Sequence, residues 1–188
     1  MDLDFDGKAA LVTGVSSVQG IGFDIARQLL ANGADVTISG RTAEAGAKVL
    51  DALGAGAHFF KADLAQPEEV QALAARVGDV DVLVNNAAHS EVKPALEQDL
   101  QGFDSSFAVN VRAPYFLVSQ LAPGMLRRGG GSIVNVTSIS AGISAPERSV
   151  YGATQGALES LTRYGLPSSR RAFASTRLLP GPPKAKEH

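Results

Sequence analysis

At 188 residues, 45% apolar and 19% charged, the chain is long enough for one domain with a sizeable core, which excludes a disordered chain. No apolar run approaches the ~20 residues of a membrane span. The 17 basic and 19 acidic side chains leave a formal charge of -2, which removes any global electrostatic reason for nucleic acid or anionic lipid as a partner. Cysteine is absent, so disulfides, thiol nucleophiles and thiolate metal sites are excluded, and His58, His89 and His188 share no ligand spacing, so no metal is expected. With no basic-then-apolar leader over residues 1–8, a cytoplasmic protein is expected.

Taken in chain order, short β-branched runs alternate with longer helical stretches. Strands are predicted at Ala9 to Thr13, Asp35 to Ser39, His58 to Lys61, Val80 to Val84 and Ser132 to Thr137. Helices are predicted at Ile21 to Ala31, Ala43 to Leu53, Pro67 to Val77, Gln101 to Leu126 and Val150 to Arg163. The strands read as near-continuous apolar runs, as in strands buried on both faces, and the alternation argues for βαβ units. The expected fold is an α/β, Rossmann-type, doubly wound parallel sheet occupying residues 1–164. After Tyr164 the texture changes. Residues 165–188 hold five basic side chains, one acid and four prolines, so the body sums to -6 and the tail to +4. Such a segment resists packing as a helix and reads either as a basic interaction tail or as a disordered end.

Directly after the first strand runs Thr13-Gly14-Val15-Ser16-Ser17-Val18-Gln19-Gly20-Ile21-Gly22, opening into an apolar helix. Glycines there let backbone N–H groups approach a pyrophosphate, and the helix N-terminus adds unpaired donors and partial positive charge. Gly14, Ser16, Gly20, Ile21 and Gly22 are therefore candidate cofactor contacts. At the end of the second strand a carboxylate would hold the ribose of NAD and a cation the 2′-phosphate of NADP. Arg41 stands there, so NADP is expected ahead of NAD unless Arg41 is an ordinary solvated arginine. Asp63 and Leu64 follow the third strand, where Asp63 serves either an adenine amino group or only the next helix as a cap. Asn85-Asn86-Ala87-Ala88 ends the fourth strand at the same edge, with Asn86 and Ala87 facing the expected ligand and His89 either in the cleft or in a polar loop.

Four more positions complete a pattern: Asn110 in the fourth predicted helix, Ser138 after the fifth strand, Tyr151, and Gln155 one helical turn beyond it. With the glycine loop and the Asn-Asn-Ala run, these resemble the classical short-chain dehydrogenase/reductase family over about residues 5–164. The resemblance implies an NAD(P)-dependent oxidoreductase. In it Tyr151 is the general acid/base on an alcohol or carbonyl oxygen and also touches the cofactor, Ser138 hydrogen-bonds that oxygen, and Asn110 supports a water-linked proton relay. It also implies a small-molecule alcohol or carbonyl substrate and a homodimer or tetramer built on the fourth and fifth helices.

Three departures from the family pattern stand out. Five residues separate Gly14 from Gly20 where the family usually has three, and Ala88 stands where the family usually has glycine. The third is Gln155 in place of lysine. In the family that lysine holds the nicotinamide ribose hydroxyls and lowers the tyrosine pKa, whereas glutamine keeps a hydrogen bond but carries no charge. A unit charge ~4–5 Å away is worth about 3–4 kcal/mol at an effective dielectric of ~20, so impaired catalysis is expected. The alternative is a catalytically silent nucleotide-binding or partner subunit.

Members of the family continue into further strands and a substrate loop, which this chain is expected to lack. Read one base out of register, the codons for residues 165–181 can encode Ala-Ala-Glu-Leu-Ala-Pro-Arg-Val-Arg-Val-Asn-Ala-Val-Ala-Pro-Gly, the segment the family carries at this point. A frame shift after about Tyr164 is the expectation this raises. Sequencing the codons after Tyr164 checks it: codons that cannot encode that run in the second frame would refute it.

Overall fold

The computed structural model describes residues 4–143, 146–164 and the backbone of 173–178. Six strands, β1 (Ala9–Val12), β2 (Asp35–Gly40), β3 (Ala57–Lys61), β4 (Val82–Asn85), β5 (Gly131–Val136) and β6 (Phe173–Leu178), form one parallel sheet ordered β3-β2-β1-β4-β5-β6. The helices are α1 (Ile21–Ala31), α2 (Ala43–Leu53), α3 (Pro67–Val77), α4 (Leu100–Phe107), α5 (Ala113–Arg127) and α6 (Ser149–Tyr164). This is the Rossmann-type α/β fold expected from the alternation of strands and helices.

The two-residue period of the strands builds two cores. Leu11 and Leu83 point to one face, where they pack with Leu73 of α3 and Leu117 and Met125 of α5. Their neighbours Val12 and Val84 point to the other, against Phe23 and Ala26 of α1 and Val49 of α2. Local chemistry agrees with the helix limits. Pro67 opens α3 with Glu68 and Glu69 in its first turn. The Asp99 carboxylate accepts from Gly102 N–H at 2.7 Å to cap α4.

Two expectations are corrected. The fourth predicted helix is not continuous α-helix: α4 and α5 are joined by a π-turn, Ala108–Arg112, which carries Asn110. An extra residue in one turn leaves the average apolar period almost unchanged, so the sequence reads as one helix. The second correction concerns the tail. Phe173–Leu178, expected to be part of a disordered or interaction segment, is β6, paired with β5 from Gly131↔Phe173 to Val136↔Leu178. Among the described residues the sheet edges are therefore β3 and β6. The remainder of 165–188 lies outside the described residues, as do the adjoining codon readings.

Candidate functional site

The strand order reverses between β1 and β4, and the carboxyl ends of these parallel strands are clasped by two side chains. The Thr13 hydroxyl accepts from the backbone N–H groups of Asn86 and Ala87, each at 3.1 Å, and donates to Val84 C=O at 3.3 Å. In return the Asn86 amide donates to Thr13 C=O at 2.8 Å and to Gly14 C=O at 3.3 Å. The clasp draws the glycine loop onto the β4 loop so closely that a methyl group on Gly14 would lie 2.4 Å from Ala87 Cα. Gly14 also has φ +71, so only glycine fits there without strain. Gly22 is required for a different reason: a side chain on it would meet the Asn86 amide at 2.5 Å.

Above the clasp lies a cleft of about 280 Å³. Gly14, Ser16, Ser39, Arg41, Asp63, Leu64, Ala87, Ala88 and His89 line it, together with Ser105 and Val109. Of the sequence candidates, Gly20, Ile21, Gly22 and Asn86 stand outside this lining and shape the loop and helix beneath it. Asp63 is not the cap of α3, whose N-cap is Gln66; its carboxylate accepts from Ala65 N–H at 3.0 Å in the turn before that helix, and the residue lines the cleft. Ala88, which stands where the family usually has glycine, is among the residues lining the cleft. The Ser39 hydroxyl, which the sequence did not flag, lines the cleft fully buried and without a protein hydrogen-bond partner. An orphaned buried hydroxyl is costly, and a ligand hydroxyl or phosphate in the cleft would satisfy it. The residues present thus fit the adenosine and phosphate end of a dinucleotide.

The second half of the site is built around Asn110 and α6. Asn110 is 1% exposed. Its carboxamide oxygen accepts from His89 N–H at 2.7 Å, and its amide donates to His89 C=O at 2.8 Å and to Thr154 Oγ1 at 2.9 Å. Thr154 in turn donates to Tyr151 C=O at 2.7 Å. One side chain therefore ties the β4 loop to the helix that bears Tyr151 and Gln155, and Thr154, missed in the sequence, is the link. Ser138 caps a single 3₁₀ turn, Ile139–Ala141, its hydroxyl accepting from Ser140 N–H at 3.2 Å. A methyl on Gly152 would lie 2.8 Å from Ser140 C=O, so α6 is seated on this turn beside Tyr151. Gln155 is 2% exposed and its Oε1 has no partner. Tyr151, Ser138 and Gln155 all lie beyond the lining of the cleft.

The rim past His89 is pinned by charge. The Lys93 ammonium meets Glu91 and Asp99 at 2.9 Å each, and Gln98 donates to Glu91 at 2.9 Å. Hydrogen bonds from Lys93 and Gln98 hold the Glu91 carboxyl below its ordinary value, those from Gly102 N–H and Lys93 do the same for Asp99, and both carboxylates push Lys93 up. Among the described residues no cluster of acids and histidines could hold a metal, and no helix is long and apolar enough to cross a membrane.

A sequence model of the family described as "short chain dehydrogenase" matches residues 8–166. The L-xylulose reductase of Mesocricetus auratus is 41% identical over 164 residues, which is 87% of this chain and 66% of that protein. Of solved structures, a short chain dehydrogenase/reductase family protein is 45% identical with a TM-score of 0.90, over 96% of this chain and 76% of its own. A metagenomic short-chain oxidoreductase in complex with NADP is 30% identical with a TM-score of 0.86, over 95% and 84%. The chain spans 63% to 66% of the length of the first curated relatives it matches.

Thr13→Val keeps the shape of the clasp and removes its oxygen, leaving the part-buried Ala87 N–H unpaired while the Asn86 N–H keeps Val84 C=O at 3.1 Å. A loss of about 1–3 kcal/mol of stability is expected in urea melts. Dinucleotide binding, followed by calorimetry, is expected to weaken with it.

Proposed function

The chain belongs to the short chain dehydrogenase family, and we propose that it is an NADP-preferring oxidoreductase moving hydride between that dinucleotide and a small alcohol or carbonyl compound. The observation that carries the reading is the cleft at the strand ends. There a glycine loop, an orphaned buried Ser39 hydroxyl, Arg41 and Asp63 line one cavity. Arg41 offers a fork of N–H donors to a 2′-phosphate and would find nothing equivalent in NAD.

When bound, the nicotinamide ring supplies or accepts the hydride. Tyr151 gives a proton to the carbonyl oxygen in reduction and takes it back in oxidation. Ser138, whose hydroxyl accepts from Ser140 N–H and donates to Ser140 Oγ at 3.3 Å, exchanges that donated bond for one to the same oxygen when substrate binds. Asn110 keeps Tyr151 in place through Thr154. Gln155 lies on the Tyr151 side of α6, four residues on, with its amide oxygen buried and unpartnered. It brings no charge to the tyrosine, so proton transfer is slow. Self-association belongs to the same proposal: Tyr115, Val118, Leu126, Leu158 and Leu161 line an apolar groove between α5 and α6 that a second copy would fill.

A second reading, a silent nucleotide-binding partner subunit, is favoured by Gln155 alone. Turnover separates the two. Retained dinucleotide binding with no reduction of any ketone supports the silent subunit, and measurable reduction supports the enzyme.

Fluorescence titration is expected to give tighter binding for NADPH than for NADH, with Arg41→Ala removing about a tenfold preference. Tighter NADH binding would overturn the role of Arg41, and no binding of either at millimolar concentration would overturn the cofactor site. Gln155→Lys is expected to raise the rate at neutral pH on the order of a hundredfold and to lower the pH needed for activity by about two units. Superimposable pH–rate profiles for the two proteins would show that glutamine is no handicap.

A further inference from the structure

We propose that Arg148 is the anion-recognising residue of the substrate site, and that the compounds turned over carry a carboxylate near the reacting alcohol or carbonyl. The inference rests on the reading of Tyr151 as the acid/base and goes beyond it by assigning the substrate's charge. Arg148 immediately precedes α6 and is half-buried, with its guanidinium carbon 5.9 Å from the centroid of the Tyr151 ring. Nη1 donates to Ser90 Oγ at 3.3 Å, so the cation spans the gap between the tyrosine and the loop that follows His89.

Its position is set by backbone on both sides. Lys93 N–H donates to Glu147 C=O at 3.0 Å, and Gly152 N–H donates to Arg148 C=O at 2.8 Å. Contact with an aromatic face and one hydrogen bond leave most of the five guanidinium N–H donors unused. Among the described residues no carboxylate lies within ion-pair distance of Arg148, although ion pairs form at Arg27, His58, Lys93 and Arg128. Lys93, on the same loop as Ser90, is already neutralised by Glu91 and Asp99. Arg148 is therefore an uncompensated charge beside the proposed acid/base. The phosphates of a dinucleotide do not account for it, because Arg148 and Tyr151 both lie outside the cleft lined by Gly14, Ser16 and Arg41. A carboxylate on the substrate supplies the missing partner, and the planar fork of an arginine matches it in two parallel hydrogen bonds.

The test avoids turnover, which Gln155 is expected to slow. A hydroxy acid cannot react with the reduced cofactor, so protein saturated with NADPH is titrated calorimetrically with 3-hydroxybutyrate and with its uncharged amide. The carboxylate is expected to bind at least about tenfold tighter, with Arg148→Gln and Arg148→Met both abolishing the difference while leaving NADPH affinity unchanged. Equal binding of acid and amide, binding of neither, or a preference that survives both substitutions would overturn the proposal. A native protein that fails to bind NADPH would overturn the cofactor reading itself and this inference with it.

Discussion

The site depends on the seam between β1 and β4, where one threonine hydroxyl satisfies two backbone donors of the opposing loop. A doubly wound sheet opens a crevice where successive strands diverge to opposite sides, and something must close its floor. Here the Thr13 oxygen and the Asn86 amide close it by exchanging bonds across the seam, so that Gly14 rests directly on Ala87. An Ala87 N–H left unpaired there would cost about 1–3 kcal/mol, which ties the floor down by a directional bond rather than through packing alone. The phosphate-facing loop above inherits its position from this contact.

The other half of the site is organised by polar groups placed inside the core. Asn85 donates to Asn135 at 2.8 Å across neighbouring strands, and Asn135 donates to Thr162 of α6 at 2.8 Å. Asn110 makes the corresponding link nearer the reacting end. Apolar contacts would hold α6 against the sheet with some freedom to slide, whereas directional bonds at both ends of the helix fix its translation and rotation. That fixes where Tyr151 stands relative to the 3₁₀ turn of Ser138.

Much of this was legible in the residues. The β-branched runs located five of the six strands to within about two residues, because burial on both faces leaves little choice of composition. The glycine loop and Arg41 were legible because their positions follow from strand order. Thr13 and Thr154 were not: a threonine at the end of a strand or inside a helix has the composition expected of its surroundings, and its hydroxyl matters only through partners far away in sequence. Phe173–Leu178 escaped for a related reason. It lies among basic residues and prolines, and its strand identity comes from backbone pairing with β5. Arg148 belongs to no motif, and only the approach of Ser90 and Tyr151 in space singles it out.

The π-turn at Ala108–Arg112 separates two helices with different duties, since α4 packs on α6 while α5 packs on α3. One additional residue rotates everything after it by about 100° relative to an unbroken helix. Were the segment cut free of its neighbours, nothing would reward that offset, and the stretch would anneal into a single straight helix with Asn110 swung off its partners. The bulge is thus a phase change maintained from outside, by His89 and Thr154 gripping one carboxamide. The offset of the two helices and the seating of the tyrosine's helix are therefore one feature, joined through a single carboxamide.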